Sequence, residues 1–185
     1  SVLGIIAADA HIKGTGLDPK TMLAQVQGTV NRADAMGYSY RNITMDLEAN
    51  RGDIRGNINS PDPNVRFDLD LDANMHDTYP RLTATLMIDS VNLQNLKLMN
   101  DDFRYHGKVV ADFETLDIDY LNGSLKVLNS NIAHNDDRYY LDTLALTAST
   151  TAERSRILFN SEFLNAHLVG NYRLSELGTS IQDIV

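Results

Sequence analysis

The amino-acid sequence predicts an all-β protein made of antiparallel strands, and three observations support this class. Asp supplies 20 of the 25 acidic residues, and 17 residues are Asn; both types compete for backbone hydrogen bonds and are poor helix formers. Apolar and polar residues alternate with a period of two through most of the chain, as in strands with one solvated face. Turn-forming clusters such as Asn50–Asp53, Pro61–Asn64 and Asn122-Gly123 separate the alternating runs.

Length and composition exclude several classes of function. The chain has 185 residues, a net charge of −9 and no Cys. The acidic balance argues against nucleic-acid binding, which needs clustered Lys and Arg, and the lack of Cys excludes disulfides and thiol nucleophiles. The longest apolar run, Val2–Ala8, is too short to cross a membrane. Because the chain begins with Ser, we expect one continuous β segment, residues 1–185, of a longer protein.

Period-two alternation is clearest between residues 64 and 72, where Val65 and Phe67 point one way and Arg66 and Asp68 the other. The same spacing recurs in strands predicted upstream and downstream. The apolar sides of these strands are predicted to share one surface, lined by Ile43, Met45, Leu47, Val65, Phe67, Leu69, Leu71, Leu82, Leu86, Ile88, Val109, Ala111, Phe113, Leu144, Leu146, Ile157, Phe159 and Leu168. The residues predicted to face away from it include Arg66, Asp68, Asp70, Thr83 and Thr85.

Helix signals are confined to two segments. Residues 174–184 carry apolar side chains at spacings of three and four, with Ser175 as N-cap, and predict a short amphipathic C-terminal helix. The second segment starts at Asp18-Pro19, which is typical of a helix N-terminus. The same residues fit a turn into a strand that ends at Val30, so this segment stays undecided.

The chain resembles itself weakly at an offset of about 100 residues, as in Met45–Ala49 and Leu144–Ala148. Such matches predict two copies, residues 1–78 and 103–174, joined by residues 79–102. A duplication implies repeated units that are stacked along one axis, with the edge strand of each unit pairing with the next unit. Alternating strands also resemble one another without duplication.

The sequence offers no catalytic site, so we expect neither an enzyme nor a bound metal. The His residues are scattered without HExxH spacing, and no Ser lies in a GxSxG context. Asp68, Asp70 and Asp72 precede His76 and invite a metal interpretation. Their spacing of about 6–7 Å along a strand differs from a compact calcium loop, which favours a solvated face that blocks edge-to-edge aggregation.

The predicted apolar surface needs a cover, because a sheet buries its apolar face against another element. No amphipathic helix of useful length is available in this sequence. Two arrangements remain: a second sheet that gives a closed β-sandwich, or one long sheet that curls into a U and leaves an apolar trough. Alternation alone favours the sandwich.

Several short segments, which recur with the regular spacing of the predicted strands, are spread over nearly the whole chain. They are Leu17–Met22, Asp89–Leu98, Phe103–Phe113, Asp119–Leu125, Arg138–Leu144 and Tyr172–Gly178. Together they resemble the TamB/AsmA-like family. The resemblance rests on the order and distribution of these segments, since no single segment is as specific as a metal-binding or nucleotide-binding motif. The resemblance implies an elongated antiparallel sheet curled into a U-shaped, β-taco-like apolar trough.

The same resemblance implies a location and a function. It places the full-length protein in the periplasm of a diderm (Gram-negative) bacterium, anchored in the inner membrane. The trough would carry phospholipid between the membranes, so bound lipid or detergent is the expected ligand. The expected protein partner is an outer-membrane assembly barrel of the Omp85 type, reached through regions outside this sequence. Two alternatives stay open: a chaperone-like scaffold that assembles outer-membrane proteins by β-strand augmentation, and a β-sandwich adhesin or binding module.

Overall fold

The computed structural model describes residues 3–16, 18–76 and 78–175, which form a single antiparallel sheet of 11 strands. Strands take in 71% of the described residues and helix 3%, so the predicted all-β class is confirmed. A 3₁₀ turn, Ile118–Tyr120, lies between the seventh and eighth strands. The strands are β1 (Leu3–Thr15), β2 (Leu23–Ala35), β3 (Tyr38–Asn50), β4 (Asp53–Ser60), β5 (Val65–Asn74), β6 (Arg81–Asn92), β7 (Phe103–Thr115), β8 (Asn122–His134), β9 (Asp137–Thr150), β10 (Ser155–Ser161) and β11 (Asn165–Gly170).

Each strand pairs with its neighbours in sequence, in the order β1 to β11, and the sheet does not close into a barrel. The described residues contain this one sheet, so the two-sheet sandwich that alternation alone favoured is wrong. The open sheet is consistent with the curled form that the family resemblance implies.

The connections between strands lie along two edges of the sheet, named the lower and the upper margin. Met36-Gly37 and Arg51-Gly52 are two-residue turns in which both residues have positive φ, the backbone of a type I′ hairpin that matches strand twist. The lower margin holds the connections that follow β1, β3, β5, β7 and β9, and the upper margin holds those that follow β2, β4, β6, β8 and β10.

The pair Asn122-Gly123 was predicted as a turn and instead opens β8. The Asn122 side chain takes the place of a strand neighbour: Nδ2 donates to the Thr150 carbonyl at 3.1 Å, and Oδ1 accepts from the Thr150 amide at 2.9 Å. This exchange of two hydrogen bonds holds the first residue of β8 against the end of β9. The chain reverses earlier, in residues 116–121.

The two predicted helix segments have different outcomes. After Asp18 the chain forms a turn, because the amides of Thr21 and Met22 both donate to the Asp18 carbonyl before β2 begins. Of the predicted C-terminal helix, the structure describes only Leu174 and Ser175, which are helical. Residues 176–185 lie outside the described residues.

The two predicted copies hold the same number of strands. Residues 1–78 contain β1–β5, residues 103–174 contain β7–β11, and the joining segment contains β6. In each copy the second strand carries an extra residue opposite the first, near Asn31 in β2 and near Asn129 in β8. A common origin of the copies stays a prediction.

Glycines on the apolar face allow neighbouring strands to approach closely. Gly28 faces the backbone of Ala10, and Gly56 faces the backbone of Leu47, with no room for a Cβ atom at either position. A sheet that bends toward one face crowds the side chains there, and glycine relieves the crowding. The glycines are therefore consistent with a curled sheet.

Gly56→Ala is expected to lower the free energy of unfolding by about 1–3 kcal/mol, because the added methyl group overlaps the Leu47 main chain and overpacking has costs of this size. Thr83→Ala, on the solvated face, is the control and should change that free energy by less than about 0.5 kcal/mol. Urea denaturation followed by circular dichroism measures both. Equal stability of Gly56→Ala and wild type would contradict the crowding.

Candidate functional site

Direct cross-strand pairing arranges the apolar face into rows that run across the whole sheet. Residues opposite each other in antiparallel strands project to the same side, so each series of pairs from β1 to β11 defines a row. The middle row contains only apolar residues and Gly: Ile12, Val26, Leu47, Gly56, Leu71, Ala84, Ala111, Leu125, Leu146, Phe159 and Ala166.

A further row lies on each side of the middle row, and the three rows together are named the trough face. The lower row is apolar or Gly throughout: Gly14, Ala24, Ala49, Ile54, Ala73, Leu82, Phe113, Gly123, Ala148, Ile157 and Leu168. The upper row ends in one hydroxyl group: Ala10, Gly28, Met45, Ile58, Leu69, Leu86, Val109, Val127, Leu144 and Ser161.

Strand pairing places every residue predicted to line the apolar surface on this side of the sheet. Most of them belong to the three rows, and Ile43, Val65, Phe67 and Ile88 extend the trough face beyond the upper row. Asp68 and the other polar residues predicted to face away lie on the opposite side. Binding of a ligand by these residues stays a prediction.

The sequence patterns missed the contributions of β1, β2, β4 and β8 to the trough face. In β2, Val26 lies between Gln25 and Gln27, and Val30 follows Thr29, so the signal is present, but Ala and Gly at the other apolar positions weaken it. In β1, the apolar run Ile5–Ala8 occupies both faces and hides the period of two that follows from Asp9 to Gly14. The register of strand pairing is what adds these residues to the surface.

The trough face has no cover within the described residues. The buried apolar residues of the three rows are Ala49, Ala73 and Ala148, whereas the larger side chains of the rows are half-buried or exposed. A closed core would bury most of its Leu, Ile and Phe side chains. The trough face is therefore an open apolar surface.

The three rows carry no charged residue, whereas the opposite face is acidic. There, Asp68 accepts a hydrogen bond from Asn59 at 2.5 Å, and Asp70 accepts one from Asn57 at 3.0 Å. Neutral amides on β4 thus satisfy carboxylates on β5 across the strands. This arrangement keeps acidic side chains in water and off the apolar side.

The aspartates of β5 take part in cross-strand contacts and do not converge on a metal site. Asp72 pairs with Arg55 at 2.9 Å, and His76 lies beside Asp53 at 3.5 Å. In the described ranges, no group of three His, Asp or Glu residues is placed to hold a metal ion.

Several tyrosines lie at the upper margin of the sheet. Tyr38 and Tyr40 stack edge to face with centroids 5.0 Å apart, and the Tyr38 hydroxyl donates to the Asp62 carboxylate at 2.6 Å. Burial, followed by this hydrogen bond, raises the pKa of Tyr38. Tyr105 Oη lies 2.9 Å from Ser130 Oγ. A ring with a polar tip suits the boundary between an apolar surface and water.

The loop between β6 and β7 lies along the upper margin. Leu96 in this loop is only 2% exposed. Asn95 Nδ2 donates to Asn64 Oδ1 at 2.8 Å, and the Lys97 side chain lies beside Gly37. The loop therefore reaches from β6 back to the β2–β3 turn, past the ends of β3, β4 and β5.

The segment after β11 lies along the lower margin. Ser155 Oγ donates to the Tyr172 carbonyl at 3.0 Å. The amide and Oγ of Ser175 donate to the Asp119 carboxylate at 3.0 and 2.9 Å, and these hydrogen bonds lower the pKa of Asp119. Residues 171–175 thus run back from β11 to the 3₁₀ turn before β8.

The fold and this surface define a class of protein: an all-β chain with one open sheet and one apolar face. Searches of known protein families, curated proteins and solved structures find no match to the chain. Among the described residues, no helix has the length and apolar character needed to cross a membrane. The resemblance to the TamB/AsmA-like family stays a prediction from the sequence.

The Ser175 amide should report the protonation of Asp119. Because the folded-state pKa of Asp119 is lowered from 3.8, its hydrogen bonds are at full strength above pH 3.8 and are lost as pH falls through the lowered value. An NMR titration of the Ser175 amide is expected to give a midpoint below 3.8. Asp119→Ala should abolish this titration, and a wild-type midpoint above the ordinary value would contradict the contact.

Proposed function

We propose that this chain is a segment of a bridge across the periplasm and that its trough face carries phospholipid acyl chains between the inner and outer membranes. The observation that carries the proposal is the set of three uncharged rows, apolar or Gly except for Ser161, that the described residues leave uncovered. Contiguous exposed apolar surface of this extent is typical of binding sites, because contact with water is unfavourable.

The dimensions of the trough face fit acyl chains. With 11 strands about 4.8 Å apart, the face is about 50 Å long, and three rows about 6.8 Å apart make it about 14 Å wide. Burying a chain of about 16 carbons gains on the order of 13 kcal/mol, at roughly 0.8 kcal/mol per CH₂. Removing the acyl chain from a membrane costs about the same free energy. Binding to the trough face therefore offsets the cost of desorption without holding the lipid so tightly that it cannot be released.

The distribution of polar groups supports the same function. Uncharged rows accept an acyl chain without burying an unpaired charge, and the tyrosines of the upper margin, such as Tyr40 and Tyr105, suit the boundary with a hydrated headgroup. The family resemblance supports a periplasmic location, an inner-membrane anchor and an outer-membrane assembly partner.

A second function, the assembly of outer-membrane proteins by β-strand augmentation, is favoured by one observation. β10 pairs with β9 only over Leu144–Thr150, so residues 137–143 of β9 have no strand on that side within the described part of the chain. The Glu162 side chain accepts from the Asp142 amide at 2.8 Å on this edge. Main-chain groups of such an edge can pair with an extended segment of another protein.

Native mass spectrometry of the purified chain, combined with lipid extraction, tests the lipid proposal. We expect copurified phospholipid or uptake of phospholipid from vesicles. A chain that neither retains nor takes up phospholipid would contradict the proposal. Binding of an extended outer-membrane-protein peptide to the β9 edge would then support the scaffold function.

A carboxylate on the trough face is expected to block lipid binding without unfolding the sheet. Leu69 and Leu86 lie opposite each other in the upper row and are half-buried, so Leu69→Asp or Leu86→Asp keeps its charge near water. We expect at least a tenfold loss of bound phospholipid in native mass spectra, with a loss of about 1–3 kcal/mol in unfolding free energy. Leu158→Asp makes the same change on the opposite face and is the matched control.

The full-length protein carrying Leu69→Asp is expected to lose its envelope function, whereas the protein carrying Leu158→Asp should retain it. Unfolding of the trough variants would instead indicate a closed core, because burying an unpaired charge costs several kcal/mol. Native stability together with unchanged lipid binding would rule out the trough face as the conduit.

A further inference from the structure

The face opposite the trough carries a hollow of about 390 Å³ close to the upper margin. Its first row of side chains is Arg104, Ala133 and Arg138, which lie opposite one another in β7, β8 and β9. A second row beside it contains His106, Asn131 and Tyr140, paired in the same way.

The position of Tyr105 shows which way the hollow opens. Tyr105 Oη contacts Ser130 Oγ next to Gly107, on the trough side of the sheet. Arg104 and His106 are its neighbours in β7 and therefore point to the opposite side. Strand pairing places Ala133 and Arg138 on the same side as Arg104, whereas Tyr105 and its partner Ile132, which also line the hollow, belong to the trough side.

A small residue between two arginines creates the opening. The main chains of Arg104 and Arg138 are two strand spacings apart, about 9.6 Å, with Ala133 between them. The short Ala133 side chain lines the hollow together with Arg104 and Arg138 and fills little of it. Register shifts lie nearby, close to Asn129 in β8 and close to Asp89 in β6, and such irregularities bend a strand locally.

Both arginine side chains are exposed, make hydrogen bonds within the chain and keep donors for a ligand. Arg104 Nε and Nη2 donate to the Asp102 carboxylate at 2.9 Å each, which leaves Nη1. Arg138 Nη1 donates to the carbonyls of Asn135 and Asp137 at 2.8 Å each, which leaves Nε and Nη2. Such hydrogen bonds lower the conformational entropy that a ligand contact would otherwise cost.

We infer that this hollow binds a phosphate ester. Two guanidinium groups across a gap match the oxygens of a phosphate group by paired hydrogen bonds. The volume exceeds that of the phosphate group alone, so Asn131 and Tyr140 would contact the organic part of the ester. Asp89 and Asp102 keep the net charge of the hollow low, and directed hydrogen bonds therefore carry the recognition.

An NMR titration with glycerol 3-phosphate, followed on the Arg Nε–Hε signals, tests the site. We expect saturable shifts of the Arg104 and Arg138 signals and none with glycerol. Ala133→Leu fills the gap and Arg138→Gln removes donors, so each should weaken apparent affinity at least tenfold. Ala145→Leu is the matched control on the same face, between Lys126 and Asn160, and should bind like wild type.

Vesicles that contain a phosphatidyl lipid identify the source of the phosphate. Displacement of glycerol 3-phosphate by the vesicles would assign the site to lipid headgroups, and its persistence would assign the site to soluble esters; either result supports the site. Absence of saturable shifts, or equal affinity in Ala133→Leu, Arg138→Gln and wild type, would overturn it. Leu69→Asp should keep glycerol 3-phosphate binding, so failure of the lipid proposal leaves this test intact.

Discussion

A slip of one residue between two strands of this sheet would move Asp70 onto the trough face and Leu69 off it, because side chains alternate with a period of two. The slip would separate Asp70 from the Asn57 amide and break the apolar row at the same time. Both faces of β5 therefore select the same register. The uninterrupted rows, and any function of the trough face, depend on this selection being repeated from β1 to β11.

Because few side chains of this sheet are buried, other contacts must stabilise its folded state. Main-chain hydrogen bonds run through ten consecutive strand pairs, and partial burial along the rows adds to them. The margins add links between distant parts of the chain, such as Asn95 to Asn64 at the upper margin and Ser175 to Asp119 at the lower one. The chain thus keeps its apolar face open without a closed core beneath it.

Alternation predicted the strands and the side to which residues such as Leu69 and Phe159 project, because this property is local. Alternation did not predict whether the apolar face is covered by a second sheet, since a sandwich and an open sheet have the same alternation. Near Asn129, β8 has one more residue than the paired part of β7. The side chains of β8 after this point therefore change sides, and Ile132 becomes the partner of Tyr105. Such register shifts depend on pairing between strands and left no recognised signal in the sequence.

The hollow around Ala133 was missed for the same reason. Arg104 and Arg138 are distant in sequence and become neighbours of Ala133 only through the pairing of β7, β8 and β9. Asn122-Gly123 shows the opposite failure, where a strong local turn signal is overridden by hydrogen bonds to Thr150. Local sequence patterns therefore predicted which side chains share a face of the sheet. The hollow around Ala133 and the start of β8 depend on contacts between strands, which these patterns do not contain.

Photo-cross-linking with a phospholipid that carries a photoreactive group in its acyl chain tests most directly whether the trough face holds acyl chains. After irradiation, mass spectrometry of the digested protein identifies the modified residues. We predict adducts on the rows, for example at Leu71 and Leu146, and no adducts at Thr83 or Thr147 on the opposite face. Adducts spread equally over both faces, or confined to the opposite face, would contradict the account.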